Sequence, residues 1–371
     1  MTDSLRVALV HDLLVSYGGS EQVLLDFHQM FPNAPIYTTI FDKSRLPPRF
    51  AKLPIRTSFL QNVPSLSKNY GAIVPLMPLA FSRFDLRGYD LVLSNSHAFS
   101  KSVTVLPGAH HVCYCYTPLR YAWSHQEEYI DGIPLKPLLA PAARLVLGRF
   151  RKWDYAASKR VDRFIAISMN VQQRIARYYG RESDVVYPAI DLSRFRAGGR
   201  DRDGDGGFLV VGRLFSYKRV HTAVQACTRL RLPLKVIGRG PELSRLREMA
   251  GPTVQFLGEV DDATLETEYR SCRALLFTAD EDFGLVPVEA MASGRPVLAL
   301  NLGGARETVL PGRTGELYED AGTDALVDAL QRFQPDDFDP QACRARAEEF
   351  SVDRFRSGIT AVLERELGRP L

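Results

Sequence analysis

EDFGLVPVEAMASGRPVLAL, residues 281–300, is the stretch from which the rest of the chain is read. It follows one apolar run, Ala274 to Thr278, and ends in another, Pro296 to Leu300, so it supplies the loop and helix of a strand–loop–helix–strand unit. Gly284 permits a backbone turn, Pro287 suits the first turn of a helix, and Glu289 lies in that turn beside Ala290 and Met291. Leu285 and Val286 offer backbone amides at the helix N-terminus, an anion site in itself. Glu281 on the loop and Glu289 on the helix set two carboxylates around that anion site, and Glu289 can accept hydrogen bonds from a pair of hydroxyls. Two carboxylates at this spacing are also what a charged surface shows; their place on one unit is what separates them from it.

The same alternation continues on both sides. Strands are expected at Phe208 to Val211, Leu234 to Ile237 and Val254 to Leu257, each followed by a loop and a helix, which makes a doubly wound sheet. After the first of these come Gly212, Arg213, Lys218 and Arg219. Arginine forks onto phosphate oxygens and lysine acts as a mobile point charge, so the spacing suits a diphosphate over the strand end, although a solvated basic helix start reads the same way. On the C-terminal side, NLGGARETV (301–309) brings Gly303 and Gly304 together on the next loop. The first half gives strands at Leu5 to His11, Leu91 to Ser94, Val112 to Tyr116 and Arg163 to Ser168, with a helix from Ser20 to Met30. Gly18 and Gly19 precede that helix and let backbone amides approach an anion, or simply make a tight turn. Residues 42–85 are proline-rich and irregular.

Gly198 to Gly207 (GGRDRDGDGG) is too polar and glycine-rich to pack and reads as a linker. The expected division is a first domain over 1–190 and a second over 191–371, with the last helix, about 352–367, packing back on the first. Two open α/β domains joined in this way leave a cleft between the carboxyl ends of their strands, where ligands of such sheets bind.

Composition narrows the classes. At 371 residues, two domains are the default; 45% hydrophobic and 24% charged residues exclude a disordered or low-complexity chain. The longest nearly apolar stretch, Ala72 to Phe81, is broken by Pro75 and Pro78 and is too short to span a bilayer, and the N-terminus lacks a signal-peptide pattern, so a cytoplasmic protein is expected. Five cysteines, Cys113, Cys115, Cys227, Cys272 and Cys343, match no disulfide or zinc spacing and read as reduced core thiols. Residues 1–185 hold 22 Lys and Arg against 14 Asp and Glu, a net +8, and the remainder 25 against 29, a net −4. The basic half suggests an anionic surface or substrate. Within it, Lys136 to Arg163 interleaves Leu138, Leu139, Leu145, Val146, Leu147, Phe150 and Trp153 with Arg144, Arg149, Arg151, Lys152, Lys159 and Arg160. That is the pattern of a basic amphipathic helix able to lie on an anionic membrane, or of a core helix with a basic back.

Taken together, GGSE (18–21), VGRLFSYKR (211–219), IGRGPE (237–242), the Glu281/Glu289 pair, MASGRPV (291–297) and GGARETV (303–309) resemble the retaining glycosyltransferases of family 4. The resemblance covers nearly the whole chain and implies the GT-B fold, α/β with two facing Rossmann-like domains, acceptor-binding then nucleotide-sugar-binding. By position it implies that Arg213 and Lys218 neutralise the donor diphosphate and that Glu289 binds the ribose. It further implies that Leu285 and Val286 contribute backbone contacts to phosphate, that Arg239 and Val260 flank the base, and that Glu281 binds the transferred sugar and stabilises its cationic transition state. Gly18, Gly19 and Gly284 complete the donor-binding set. SNSHAFSKSV (94–103), YTPLRYAW (116–123) and FIAISMNVQQRIARYYG (164–180) are similar to a bacterial mannosyltransferase-like branch that builds O-antigen or exopolysaccharide. That branch usually shows a histidine where Tyr116 stands, so His97 or Tyr116 is expected to take its catalytic place. The resemblance implies a hexosyltransferase, with GDP-mannose as the expected donor, a lipid-linked or polysaccharide acceptor, no metal and no separate cofactor; peripheral docking on the cytoplasmic face of the inner membrane is expected from the basic helix. A nucleotide-sugar-binding protein without turnover and a GT-B epimerase are the alternatives. A dinucleotide oxidoreductase is disfavoured because neither glycine turn reads G-x-G-x-x-G.

Overall fold

Runs of Val, Ile and Leu that carry no polar face are buried on both sides, which suits them to parallel strands crossed by helices. The computed structural model describes residues 5–63, 74–124, 126, 130, 136–196 and 206–371; Ala72, Ile73 and residues 198–205 of the expected linker lie outside them. The chain divides into two compact units, Met1–Tyr187 with Arg356–Leu371, and Pro188–Phe355.

In the first unit, β1 (Val7–His11), β2 (Ile36–Thr38), β3 (Ile55–Thr57), β4 (Leu91–Ser96), β5 (His110–Cys115), β6 (Arg163–Ala166) and β7 (Ser183–Val185) form one parallel sheet in the order β3-β2-β1-β4-β5-β6-β7. Its helices are α1 (Gly19–Met30), α2 (Met77–Ser82), α3 (Arg120–Trp123), α4 (Lys136–Ser158) and α5 (Met169–Tyr179). In the second unit, β8 (Phe208–Val211), β9 (Leu234–Ile237), β10 (Val254–Gly258), β11 (Ala274–Phe277), β12 (Val297–Leu300) and β13 (Gly315–Tyr318) form a parallel sheet in the order β10-β9-β8-β11-β12-β13. Its helices are α6 (Val220–Leu230), α7 (Leu243–Met249), α8 (Asp262–Ser271), α9 (Leu285–Ala292), α10 (Ala305–Thr308), α11 (Thr323–Arg332) and α12 (Pro340–Glu348). Each unit is a Rossmann-like doubly wound sheet, and the chain has the GT-B fold class.

The last helix, α13 (Val352–Leu367), belongs from Arg356 onward to the first unit. Glu366 holds His110 at 3.1 Å and Arg163 at 3.3 Å, and Arg365 donates to Asp184 at 2.7 Å. Four strands are not among those read from sequence: β2, β3, β7 and β13, of three or four residues each. One of them, β3, lies in the proline-rich stretch. Strand β5 ends at Cys115, which puts Tyr116 on the loop rather than in the strand. All five cysteines are free and buried.

Helix α4 forms where the basic amphipathic pattern predicts one, but its charges divide differently. Phe150 and Trp153 pack against the core, whereas Leu145 is 61% and Val146 48% exposed. Arg151 is not part of a free basic face: it donates to the Ala122 carbonyl at 2.8 Å and to Gln126 at 2.6 Å. Lys159 and Arg160 are likewise tied to the carbonyls of Tyr179 and Ser102. Leu138 and Leu139 fall where side chains are not described. No described helix is long and apolar enough to cross a membrane.

One buried ion pair joins several elements of the first unit. Lys101 and Asp154 are both fully buried, with nitrogen and oxygen 2.7 Å apart. Asp154 also accepts from the Tyr179 hydroxyl at 2.7 Å and from the Trp123 indole at 2.8 Å, so α4 is tied to α3, α5 and the turn after β4. Burial is the largest influence on Lys101 and opposes its charge, yet the Asp154 carboxylate together with the neighbouring Cys115 and Cys113 outweighs it and holds the ammonium above its ordinary pKa. Replacing Lys101 by Met strands a buried carboxylate and is expected to cost about 3–5 kcal/mol. Both tryptophans, Trp123 and Trp153, lie in this unit, so urea unfolding followed by tryptophan fluorescence reads it directly; an unchanged midpoint contradicts the assignment.

Candidate functional site

In an open parallel sheet the loops on either side of a reversal in strand order diverge and leave a crevice at the carboxyl ends. The second unit reverses between β8 and β11. The loop after β8 carries Arg213, Tyr217 and Lys218; the loop after β11 carries Glu281 and Gly284. These loops meet: the Lys218 ammonium forms an ion pair with Glu281 Oε1, and Thr278 Oγ1 donates to the Lys218 carbonyl at 2.7 Å. Arg213 Nη2 lies 3.4 Å from the Tyr217 hydroxyl, and Lys218 Nζ lies 5.5 Å from the Tyr217 ring centre, so the two cations flank one aromatic side chain.

Gly284 caps α9 with φ 86, a left-handed value that favours glycine, and contributes no side chain over the helix N-terminus where Leu285 and Val286 begin. Glu289, one turn further, is bonded to Tyr269 from α8, whose hydroxyl donates to Glu289 Oε2 at 2.6 Å. Burial pushes the Glu289 carboxyl above its ordinary pKa, opposed by the Tyr269 bond and by the Arg194 guanidinium. Arg239 and Val260 follow β9 and β10, on the other side of β8 from β11, and Arg239 pairs with exposed Glu259 at 3.2 Å.

The first unit reverses between β1 and β4. Here the structure brings His97, Tyr116 and the Gly18–Glu21 turn together with His11 and Asp12, which the motifs did not single out. Asp12, at the end of β1, is buried and accepts from four consecutive backbone amides after β4: His97 at 2.8 Å, Ala98 at 3.0 Å, Phe99 at 2.6 Å and Ser100 at 2.7 Å. His97 Nδ1 stands 3.2 Å from Asp12 Oδ2 while its side chain stays 41% exposed. Burial works against the Asp12 charge, but His97, His11 and the amides outweigh it and hold the carboxyl below its ordinary pKa. Beside it, buried His11 lies 3.2 Å from both Glu21 Oε1 and Asn95 Nδ2, and Asn95 also donates to the Ser20 carbonyl at 2.9 Å. Gly18 and Gly19 open α1 directly beneath this cluster, with no side-chain cap. The Tyr116 hydroxyl reaches the Ser20 carbonyl at 3.5 Å, and burial raises its pKa well above 10, so it acts as a donor and not as a phenolate. His97 and Tyr116 are therefore not equivalent: one is oriented by a carboxylate and half exposed, the other closes the buried network.

His11 and Asp12 were legible only as polar residues ending an apolar strand, and Tyr269 carries no local mark. Among the described residues no group of three or more His, Cys, Asp or Glu is arranged to hold a metal ion.

Residues 17–194 match the family model described as Glycosyltransferase Family 4, and residues 194–350 match Glycosyl transferases group 1. A glycogen synthase of Mycobacterium tuberculosis is 32% identical over 201 residues, 50% of this chain and 48% of that protein. A GDP-mannose-dependent alpha-mannosyltransferase of Mycolicibacterium smegmatis is 31% identical over 186 residues, 48% of this chain and 49% of its own. The chain thus matches about half the length of these curated relatives. Among solved structures, sucrose-phosphate synthase from Thermosynechococcus elongatus superposes with a TM-score of 0.75 at 19% identity, covering 98% of this chain and 99% of that one. HepE of Anabaena, in complex with UDP-glucose, gives 0.72 at 19%, covering 97% and 99%. At that identity the likeness carries the fold.

The glycine loops that fix Glu281 give a direct test. Gly303 adopts φ 56, and a Cβ there would stand 2.1 Å from the Glu281 carbonyl oxygen. Gly303→Ala is expected to destabilise the second unit by roughly 1–3 kcal/mol, since both backbone strain and a contact with fixed main chain result. Differential scanning calorimetry checks it; an unaltered unfolding profile means that the two loops are not locked together.

Proposed function

We propose, from the premise that the chain belongs to the family 4 glycosyltransferases with the GT-B fold, that it moves a hexose from a nucleotide-diphosphate sugar to a saccharide acceptor, retaining anomeric configuration and needing no divalent metal. The observation that carries the reading is the meeting of Lys218 and Glu281 where the second sheet reverses. A cation and a carboxylate in contact at one crevice suit a substrate that bears a diphosphate and a sugar side by side. Lys218, Arg213 and the amides of Leu285 and Val286 take the diphosphate, whose leaving charge they stabilise. Glu281 accepts from hydroxyls of the transferred sugar and stabilises the positive charge that develops at its anomeric carbon. Glu289 accepts from the ribose hydroxyls, and Arg239 and Val260 flank the base. In the first unit, His97 oriented by Asp12, with the Tyr116 hydroxyl, handles sugar hydroxyls, and Gly18 and Gly19 at the start of α1 offer a second anion-binding turn. A protein that only bound the nucleotide sugar would need the phosphate and ribose contacts but not Glu281.

The donor is GDP-mannose in this reading, supported by the GDP-mannose-dependent relative; UDP-glucose, present in a structural neighbour, is its rival. The acceptor is lipid-linked, and the outward side of α4, with Leu145 and Val146 among exposed Arg144, Arg149 and Lys152, docks on the anionic cytoplasmic face of the inner membrane. Each such cation contributes roughly 1 kcal/mol near anionic lipid.

Thermal shifts across GDP-, UDP-, ADP- and TDP-sugars followed by transfer assays test the function; stabilisation by none of them and no transfer overturn it. Glu281→Gln is expected to lower kcat by about 100-fold, and transfer is expected to persist in excess EDTA; loss of rate restored by magnesium removes the metal-free reading. Salt-sensitive sedimentation with anionic but not neutral liposomes, abolished by reversing Arg144, Arg149 and Lys152 to Glu, is the expected result for docking. Equal recovery with both vesicle types contradicts it.

A further inference from the structure

We infer that Tyr269 is a positioning residue for donor recognition: its hydroxyl fixes one oxygen of Glu289 so that the carboxylate presents its remaining acceptor capacity to a pair of adjacent ribose hydroxyls. The inference rests on the assignment of Glu289 to the ribose.

A glutamate on a helix has three rotatable side-chain bonds and no intrinsic reason to hold one orientation. Glu289 is held by a bond from outside its helix. The Tyr269 side chain is fully buried, its ring packs edge-on against Phe195 at 5.8 Å and 74°, and its hydroxyl meets Oε2 at 2.6 Å, short enough for a hydrogen bond to an ionised oxygen. The ring cannot swing without displacing Phe195, and Phe195 is itself anchored because Arg344 donates to its carbonyl at 2.7 Å and to the carbonyl of Ala292, the last residue of α9. Tyr269 and Glu289 are thus fixed from both ends of one packed assembly.

The alternative partner for Glu289 is the Arg194 guanidinium, which acts on it electrostatically. Arg194 is engaged by Asp262 at 2.7 Å. With Tyr269 in place the carboxylate keeps its own orientation instead of collapsing onto that cation. Burial holds the phenol pKa well above 10, so Tyr269 donates throughout the neutral range. The same bond opposes the effect of burial on Glu289 and favours its ionised form. An ionised carboxylate offers about four lone-pair positions, all acceptors. Tyr269 occupies one, and two adjacent hydroxyls suit those that remain.

The test is calorimetric titration of GDP and UDP, each beside its 2′,3′-dideoxy form, into the wild-type protein and Tyr269→Phe, which keeps the ring and removes only the hydroxyl. The wild type is expected to prefer the ribonucleotide. Tyr269→Phe is expected to bind the ribonucleotide roughly tenfold more weakly, to bind the dideoxy form as the wild type does, and to raise the donor KM while leaving kcat within about twofold. A wild type that does not distinguish ribose from dideoxyribose overturns the ribose assignment of Glu289 and the inference with it. A Tyr269→Phe protein that keeps the full wild-type preference overturns the role of Tyr269 alone, as does one that loses affinity equally for both sugars, which marks a packing role.

Discussion

A parallel sheet whose strand order reverses sends its crossover helices to opposite faces, because each crossover is right-handed. Between β1 and β4, and again between β8 and β11, the loops therefore part at the carboxyl ends and leave backbone that no neighbouring strand can cover. The carboxylates and cations that meet across loops in each unit gather at these points. Asp12 and Glu21 come from the β1 side and Asn95 and His97 from the β4 side; Lys218 comes from the β8 side and Glu281 from the β11 side. Residues 85 apart in one case and more than 60 apart in the other become neighbours through this reversal.

Holding such loops together requires close approach of main chain to main chain. A Cβ on Gly238 would stand 1.9 Å from the Gly212 carbonyl, one on Gly240 2.2 Å from that of Leu214, and one on Gly304 2.1 Å from that of Phe283. The glycines of IGRGPE and GGARETV thus serve as contacts between successive loops. Gly304 makes this explicit, since its amide donates to the Glu281 carbonyl at 2.8 Å. The loop with the carboxylate is set by the loop that follows it, and substitutions in either reach the same atoms.

What the sequence revealed and what it withheld divide along physical lines. Strands β8, β9 and β12 were legible because apolar runs buried on both faces have few other readings, and the α9 N-terminus because Gly284 and Pro287 constrain the backbone locally. Strands β2, β3 and β7 were not, since three residues carry no period. Charge was the least legible property. Arg151 and Arg149 look alike in a list of basic residues, yet Arg151 is fixed to a carbonyl and an amide on neighbouring elements. Likewise Asp12, Tyr269 and Asp154 owe their places to partners remote in sequence, which no local spacing marks.

The net charges of the two halves and the character of their crevices run in opposite directions. The first half carries +8, yet its crevice buries two carboxylates and His11; the second carries −4, yet the loop after β8 brings Arg213 and Lys218 to its crevice. Net charge acts over roughly a Debye length, about 8–10 Å in physiological salt, and biases what approaches a surface. Groups within hydrogen-bond distance in a partly desolvated crevice act far more strongly on what binds there. Asp12 illustrates the difference: four amides and His97 stabilise its charge locally, whatever the sign of the surrounding surface. The chemistry each unit can recognise is accordingly set by which loops the strand reversal brings together, and the basic exterior of the first unit is available for a separate purpose.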